Sequence, residues 1–269
     1  MMAVQAWEFL DRRALASMIF TDAVGRPVLT PVRVTAPGVR LLIKRPGELV
    51  VLDAPGFAPH AAAFEAPPAM PAIGSATVQL DLVPADPALG SRRFAMVLPR
   101  DPDPAHAANA NSLFRPIEVV LLPAPSGTLT GLVAALRVNV TRSDDGRRIE
   151  GALLRLRPEG GRPQTLALTD AAGDALLLVP GVPLSSPGMG GVVLADIGAE
   201  LDAVIDPDLV RFHAAENLMA ARADAAARTT SLIDPDDVEA RLGGSAIGTQ
   251  ALRIAAGQSR TAAIAWVPP

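Results

Sequence analysis

This sequence reads as mainly β: two tandem β-sandwiches followed by a C-terminal helical segment and a terminal hairpin. Three observations carry that reading. Apolar and polar residues alternate over many short stretches, the period-two pattern of half-buried strands. The 26 prolines and 22 glycines are spread along the 269 residues, as tight turns between short strands require. A small unit also occurs twice. Gly25-Arg26-Pro27-Val28-Leu29 lines up with Gly146-Arg147-Arg148-Ile149-Glu150, and Pro46-Gly47-Glu48-Leu49-Val50-Val51 with Ala172-Gly173-Asp174-Ala175-Leu176-Leu177. Each copy runs turn, strand, strand, glycine turn, hydrophobic strand, Pro-Gly. Gly47 and Gly173 are therefore expected at equivalent turns.

In chain order, Met1 to Leu15 is an arm or a first strand, and Leu15 to Phe20 is a strand ending in the turn Thr21 to Gly25. Val32 and Val34 alternate with Arg33; Leu41 and Ile43 follow the Pro37-Gly38 turn; Glu48 to Asp53 is a buried strand. Pro55 to Gly74, rich in proline and holding His60, Phe57 and Phe64, reads as an irregular covering loop. Val78, Leu80 and Leu82 alternate with Thr77, Gln79 and Asp81, and Arg92 to Leu98 and Ile117 to Leu122 add further strands. Pro123-Ala124-Pro125-Ser126-Gly127 is the linker candidate.

The second module opens on the strongest alternation, with Leu136, Val138 and Val140 on one face and Arg137, Asn139 and Thr141 on the other. Asp144-Asp145-Gly146 is a hairpin turn signal. Leu154, Leu156 and the run Leu176 to Val179 supply core strands, and Gly190 to Ile205 one or two more. Leu209 to Arg228 is Ala-rich, with Val210, Ala214, Leu218, Ala221 and Ala225 at helical spacing. Asp234-Pro235-Asp236-Asp237 is a helix start, with Asp234 as N-cap and Pro235 in the first turn. Leu252, Ile254, Ile264 and Trp266 read as a hairpin around Gly257-Gln258. The organisation expected is residues 1-125, 126-208 and 209-269. The core should hold Val32, Val34, Leu49, Val51 and Leu80 in the first module, and Leu136, Val138, Leu154, Leu156, Leu176 and Leu178 in the second.

Glu150-Gly151-Ala152-Leu153-Leu154, Thr169-Asp170-Ala171-Ala172-Gly173 and Leu176-Leu177-Leu178-Val179-Pro180-Gly181 resemble the carboxypeptidase-regulatory-like domain, a transthyretin-like or immunoglobulin-like β-sandwich. The first module resembles a degraded copy, with Arg45-Pro46-Gly47 where the Thr-Asp turn would stand. The layout is also similar to accessory proteins of contractile injection systems and other phage-tail-like particles. The resemblance implies a non-catalytic decorating or structural role, since such modules occur in many proteins without catalysing anything.

Composition narrows the function classes. Hydrophobic residues make up 49% of the chain, enough for a sizeable core, but aromatics only 3%, and there is no Tyr. The core must be aliphatic, and a sugar- or base-stacking surface is disfavoured. The net charge is −4, with scattered basic residues and a single lysine, Lys44; no block reads as a nucleic-acid face. There is no Cys, so neither a disulfide framework nor a thiolate metal site is available. No apolar run reaches the ~18 residues of a membrane span, and the N-terminus has no leader pattern. The expectation is a cytoplasmic protein, free or part of a released particle.

Candidate chemistry is sparse. His60, His106 and His213 are the only histidines, and they are expected to share no site. Asp101, Asp103 and His106 could form an oxygen/nitrogen site, but the intervening prolines favour a stiff loop. Asp206, Asp208, Asp234, Asp236 and Asp237 could hold a cation such as Ca²⁺, yet helix capping accounts for three of them. No Gly-x-Ser-x-Gly elbow occurs, and Ser185 to Gly191 lacks the lysine of a phosphate loop. Asn139-Val140-Thr141 is a mid-strand sequon. No catalytic, cofactor-binding or metal residue is therefore assigned, and no cofactor is expected. The functional expectation is a structural subunit of a multi-subunit particle, oligomerising with itself or other subunits through residues 209-269, with no nucleic-acid or membrane partner. The terminal apolar face is expected to be covered either by its own second sandwich or by a neighbouring subunit's sheet edge, and in the second case truncation at Pro207 leaves two folded sandwiches. The rival classes are a ligand- or carbohydrate-binding accessory module and a hydrolase with a non-obvious site.

Overall fold

A computed structural model describes residues 14–63, 66–128, 132–183, 187–188, 191–192, 196–214 and 232–268. The N-terminal arm up to residue 13, Phe64, most of the Ser185 to Gly191 stretch and the body of the Ala-rich segment lie outside the described residues. The chain is mainly β. It divides into two compact units, one formed by Met1–Ile19, Ala36–Val78 and Met96–Glu118, the other by Phe20–Thr35, Gln79–Ala95 and Val119–Pro269.

The N-terminal strands are β1 (Ala16–Asp22), β2 (Val32–Thr35), β3 (Arg40–Arg45), β4 (Glu48–Asp53), β5 (Ala76–Pro84), β6 (Arg92–Leu98) and β7 (Ile117–Leu121). They form a sheet of order β3-β4-β1-β7 and another of order β2-β5-β6. In the first unit β3 and β4 are antiparallel across the Pro46-Gly47 turn, and Met18 of β1 faces Leu49 of β4. Met18, Leu49 and Val51 are buried, as are Leu80 and Leu82, whose polar neighbours Thr77 and Gln79 are exposed. Val32 and Val34, expected in the core, are only half-buried. β2 ends its sheet and has β5 on one side alone, so its side chains are covered from one direction.

The second unit contains a two-sheet sandwich. Its strands are β8 (Ala134–Arg142), β9 (Arg148–Glu150), β10 (Leu153–Pro158), β11 (Thr165–Leu168), β12 (Asp174–Val179), the two-residue pair β13 (Pro187–Gly188) and β14 (Gly191–Val192), β15 (Asp196–Val204), β16 (Arg211–His213), β17 (Ile247–Ala255) and β18 (Ser259–Trp266). One sheet runs β11-β10-β15-β17; the other runs β12-β8-β9-β16, with β18 parallel to β8. Between them pack Leu136, Val138 and Val140 of β8, Leu154 and Leu156 of β10, Leu201 of β15, Ile254 of β17, and Ile264 and Trp266 of β18. β12 contributes Ala175, Leu177 and Val179 to this core rather than Leu176 and Leu178. Leu176 is buried on the opposite face, close to Gly127, and Leu178 is half-buried. A run of consecutive leucines has no parity of its own, so the sheet decides which ones point inward.

The Thr169–Gly173 motif proves to be a latch. The Thr169 hydroxyl donates to the Ile149 carbonyl at 2.6 Å and accepts from the Ala152 amide at 2.9 Å. The Asp170 carboxylate accepts from the amides of Ala172 and Asp174. Gly173 adopts a φ of 70°, and a Cβ there would strike the Val140 carbonyl oxygen, so no side chain fits. Gly47 also has positive φ, but its turn joins neighbours in one sheet, whereas the Gly173 turn carries the chain from β11 in one sheet to β12 in the other. The two glycines serve similar turns in different topological places.

The C-terminal expectations change most. Where a helix is expected from Leu209, residues 211–213 form strand β16, which pairs with β9 through Phe212 and Ile149, and most of the remaining stretch lies outside the described residues. Phe212 stacks on Trp266 with ring centroids 5.7 Å apart. The expected start at Asp234 is as read: α2 (Pro235–Leu242) is capped by the Asp234 side chain, which accepts from the Asp236 amide. The terminal strands do not pair as a hairpin. β17 joins β15, and β18 joins β8 in the opposite sheet. Residues 247–266 thus supply two strands of their own sandwich, the first of the two placements expected, so truncation at Pro207 removes part of its core. The proline-rich linker candidate is likewise tied down, because Arg137 donates to the carbonyls of Pro125 and Gly127.

Two stability outcomes follow. Leu156→Ala should cost about 2–5 kcal/mol in chemical denaturation, and Leu178→Ala clearly less, because only the first empties a core position. A chain ending at Pro207 should lose the cooperative transition and protease resistance of the second sandwich.

Candidate functional site

The best-formed concavity belongs to the first unit, and proline builds it. Two proline-rich runs, residues 67–73 and 99–104, enclose a cavity of about 1000 Å³ together with His60, His106 and Phe114. Proline rings fix φ and carry no N–H, so they make a stiff apolar wall without hydrogen-bond donors. Phe114 and Ile73 each leave half their surface exposed at this cavity.

The second run is held by hydrogen bonds to backbone groups. Asp101 bridges it through its main chain, its carbonyl accepting from the Leu113 amide and its amide donating to the Asn111 carbonyl. The Arg100 guanidinium faces the carbonyls of Ala110 and Ser112, each at 2.8 Å, and that of Arg115 at 3.2 Å. Asp103 caps the 3₁₀ turn Pro104–His106 by accepting from the Ala105 amide. His60 lies on the short helix α1 (Ala58–Ala62), edge-on to Phe57 at 5.7 Å between centroids.

His106 Nδ1 lies 2.7 Å from Asp101 Oδ2. The Asp103 amide and then His106 hold the Asp101 carboxyl below its ordinary range, and the Asp101 hydrogen bond raises His106 above its own. Burial, with Arg115 nearby, pulls Arg100 down. His60 is 6% exposed, and neither ring nitrogen has a hydrogen-bond partner. The Arg100 Nε is likewise buried without one. The sequence reading treated the histidines as unrelated, yet His60 and His106 line one cavity. The signal that could have found this is the pairing of two proline-rich loops, each carrying an imidazole.

The other candidates are engaged structurally. Within the acidic cluster, Arg92 pairs with Asp234 and Asp236, and Arg241 with Asp206 and Asp237. These carboxylates neutralise arginines, and no cluster with metal-binding geometry occurs among the described residues. His213 Nε2 lies 2.6 Å from Glu150 Oε2, joining β16 to β9. Asn139 of the sequon donates to Asp174 Oδ1 and the Ala172 carbonyl and accepts from Arg148, so its amide is spent across strands. No helix among the described residues is long and apolar enough to cross a membrane.

No family model and no curated protein sequence matches the chain. Among solved structures, a point mutant of the shaft pilin SpaA from Lactobacillus rhamnosus GG is 9% identical over 71% of this chain and 64% of its own, with a TM-score of 0.23. The minor pilin GBS52 of Streptococcus agalactiae is 10% identical over 94% of this chain and 97% of its own, with a TM-score of 0.25. This chain therefore spans just under two thirds of that shaft pilin's length. Likeness at TM-scores this low carries no inference about fold or role.

The His106–Asp101 pair has a definite pH signature. A raised imidazole and a depressed carboxyl mean that the ion pair is complete between the two. It is lost as pH rises through the His106 value or falls through the Asp101 value. An NMR titration should place His106 above the ordinary imidazole value of about 6.5, and Asp101→Asn should return it toward that value.

Proposed function

We propose that this chain is a non-catalytic structural subunit of a multi-subunit particle. The observation that carries the reading is the edge of β18 that no described strand covers, where the Gln250 side chain donates to the Ala263 carbonyl. That strand has β8 on one side and, among the described residues, no strand on the other. β17 ends the opposite sheet. An unpaired edge of this kind is a template for strand addition by another chain. Ala263 and Ala265 are exposed on it, small enough to let a neighbour approach closely. Support also comes from how the polar side chains of the second sandwich are used. The Thr169, Asp170, Asn139, Arg155 and Asp202 groups hold strands and turns together.

In this reading assembly uses the rim of the folded sandwich, to which β17 and β18 belong as strands of that body. The setting we name is a phage-tail-like contractile injection particle assembled in the cytoplasm. Its support is the similarity of the whole layout, β-modules without an active-site constellation, to accessory proteins of such particles. Sheath, tube and baseplate genes beside this one would strengthen that setting, and their absence would remove it.

The subunit reading has a direct test. Full-length protein should self-associate in light scattering or retain partners encoded beside it in a pull-down. Ala263→Glu with Ala265→Glu should abolish that association while leaving the circular dichroism and thermal transition within about 1 kcal/mol of the parent, as exposed surface changes usually do. A strictly monomeric protein without partners would sink the proposal.

A further inference from the structure

We infer that the proline-walled cavity of the first unit binds an uncharged apolar ring compound, one that carries at most a hydrogen-bond donor and no carboxyl, amine or amide group. This goes beyond the subunit reading and does not rest on it, since every lining residue belongs to the first unit and β18 to the second.

The cavity holds about 1000 Å³, at the upper end of small-molecule sites. Six of its lining residues are prolines, and Ala69, Ala72, Ile73 and Phe114 add four more apolar side chains. Ile73 and Phe114 are each about half exposed, so an apolar body gains by taking that surface out of water. Proline rings fix the backbone, so the wall is already shaped and little order is lost in filling it. A stiff wall suits a ring compound, which has few rotors to freeze, better than an acyl chain.

Hydrogen bonding decides the class of ligand. A proline has no N–H to offer. The amides of Asp101, Asp103, His106 and Phe114 already donate within their own loop, to the Asn111 carbonyl, Asp101 Oδ1, the Asp103 carbonyl and the Ser112 hydroxyl. The Arg100 Nε and both ring nitrogens of His60 are shut off from solvent, and the terminal nitrogen of Arg100 faces three main-chain carbonyls. A wall with so few free donors leaves most carbonyl or carboxylate oxygens of a ligand stripped of water without replacement. Peptides, sugars and carboxylates are disfavoured for that reason. Charge adds no pull of either sign. At pH 6, below the raised His106 value, Arg100 and His106 stand against Asp101 and Asp103, and His106 meets Asp101 directly at 2.7 Å. The lining charges cancel, so an ion would give up its hydration without a net countercharge. A lone donor is tolerated, because the loops keep carbonyl and carboxylate oxygens.

The probe is indole, uncharged and with a single donor, titrated at pH 6 into full-length protein and followed through the NMR signals of the Ile73 methyls and the His106 ring. Indole-3-acetate, tryptamine and acetyl-triproline amide are the controls. Indole should shift both residues saturably, one molecule per chain, with a Kd of about 1 mM or tighter. The anion, the cation and the acceptor-rich peptide should each bind at least about tenfold more weakly. Phe114→Ser and Ile73→Ser, at half-exposed positions, should each weaken indole about fivefold or more with thermal unfolding unchanged. Leu29→Ser, which removes a more exposed leucine of the second unit, should leave indole binding as it was, and so should Ala263→Glu with Ala265→Glu. Absence of a saturable shift with indole would overturn the inference. So would equal binding of any control, or a Leu29→Ser effect as large as that of Phe114→Ser, which would mark general surface stickiness rather than this cavity.

Discussion

One carboxylate, that of Asp234, ties the start of α2 to strand β6 within the second unit. Its Oδ1 caps α2 through the Asp236 amide and meets the Arg92 guanidinium at 3.2 Å; its Oδ2 accepts from the Ala95 amide at 2.8 Å. Arg92 in turn donates to the carbonyls of Val120 and Arg93. Helix start and strand β6 therefore share a single buried charge. Both partners are almost fully buried, so neither could lose the other cheaply. Breaking such a pair by removing one side typically costs about 3–5 kcal/mol, because the remaining charge stays in a poor solvent for it.

The same device recurs at the other end of the helix. Arg155 stands on the outer face of β10, between Leu154 and Leu156, which face the core. It grips Asp202 of β15 with two bonds at 2.6 and 3.0 Å, and reaches Glu239 and the Gly243 carbonyl of α2. Leu153, Val204 and Val238 fill the space beside it. A helix of eight residues has little stability of its own. It is kept by a small apolar contact and by fixed charges at both ends. The buried ions add little net stability compared with an apolar replacement, but they allow only one seat for the helix, which is what a short element with a small apolar face lacks.

Most strands were legible, and the reasons are local. Alternation at Leu136 to Thr141 and at Thr77 to Leu82 states the buried face outright, and Asp234-Pro235 states a helix start in chemistry that few other roles require. What could not be read depends on long-range pairing. Leu176 to Val179 is apolar throughout, so its inward face is set by its neighbour β8 rather than by its own pattern. Leu252, Ile254, Ile264 and Trp266 around Gly257-Gln258 suggest a hairpin. The turn is real, but β17 and β18 diverge into opposite sheets, β17 pairing along β15 and β18 along β8. Val32 and Val34 alternate correctly and are still only half covered, since no sequence pattern says that β2 has one neighbour.

The cavity illustrates a different limit. Its two walls are separated in the chain, and each alone has the composition of an ordinary surface loop. Proline, which the sequence reading took as punctuation between strands, here serves as building material: a rigid ring with no donor, repeated along both walls. That choice has a chemical consequence. A proline ring removes a backbone donor and keeps its carbonyl, so such a wall presents acceptors without amide donors. Arg100 finds three main-chain carbonyls for its terminal nitrogen and none for Nε; His60 finds none.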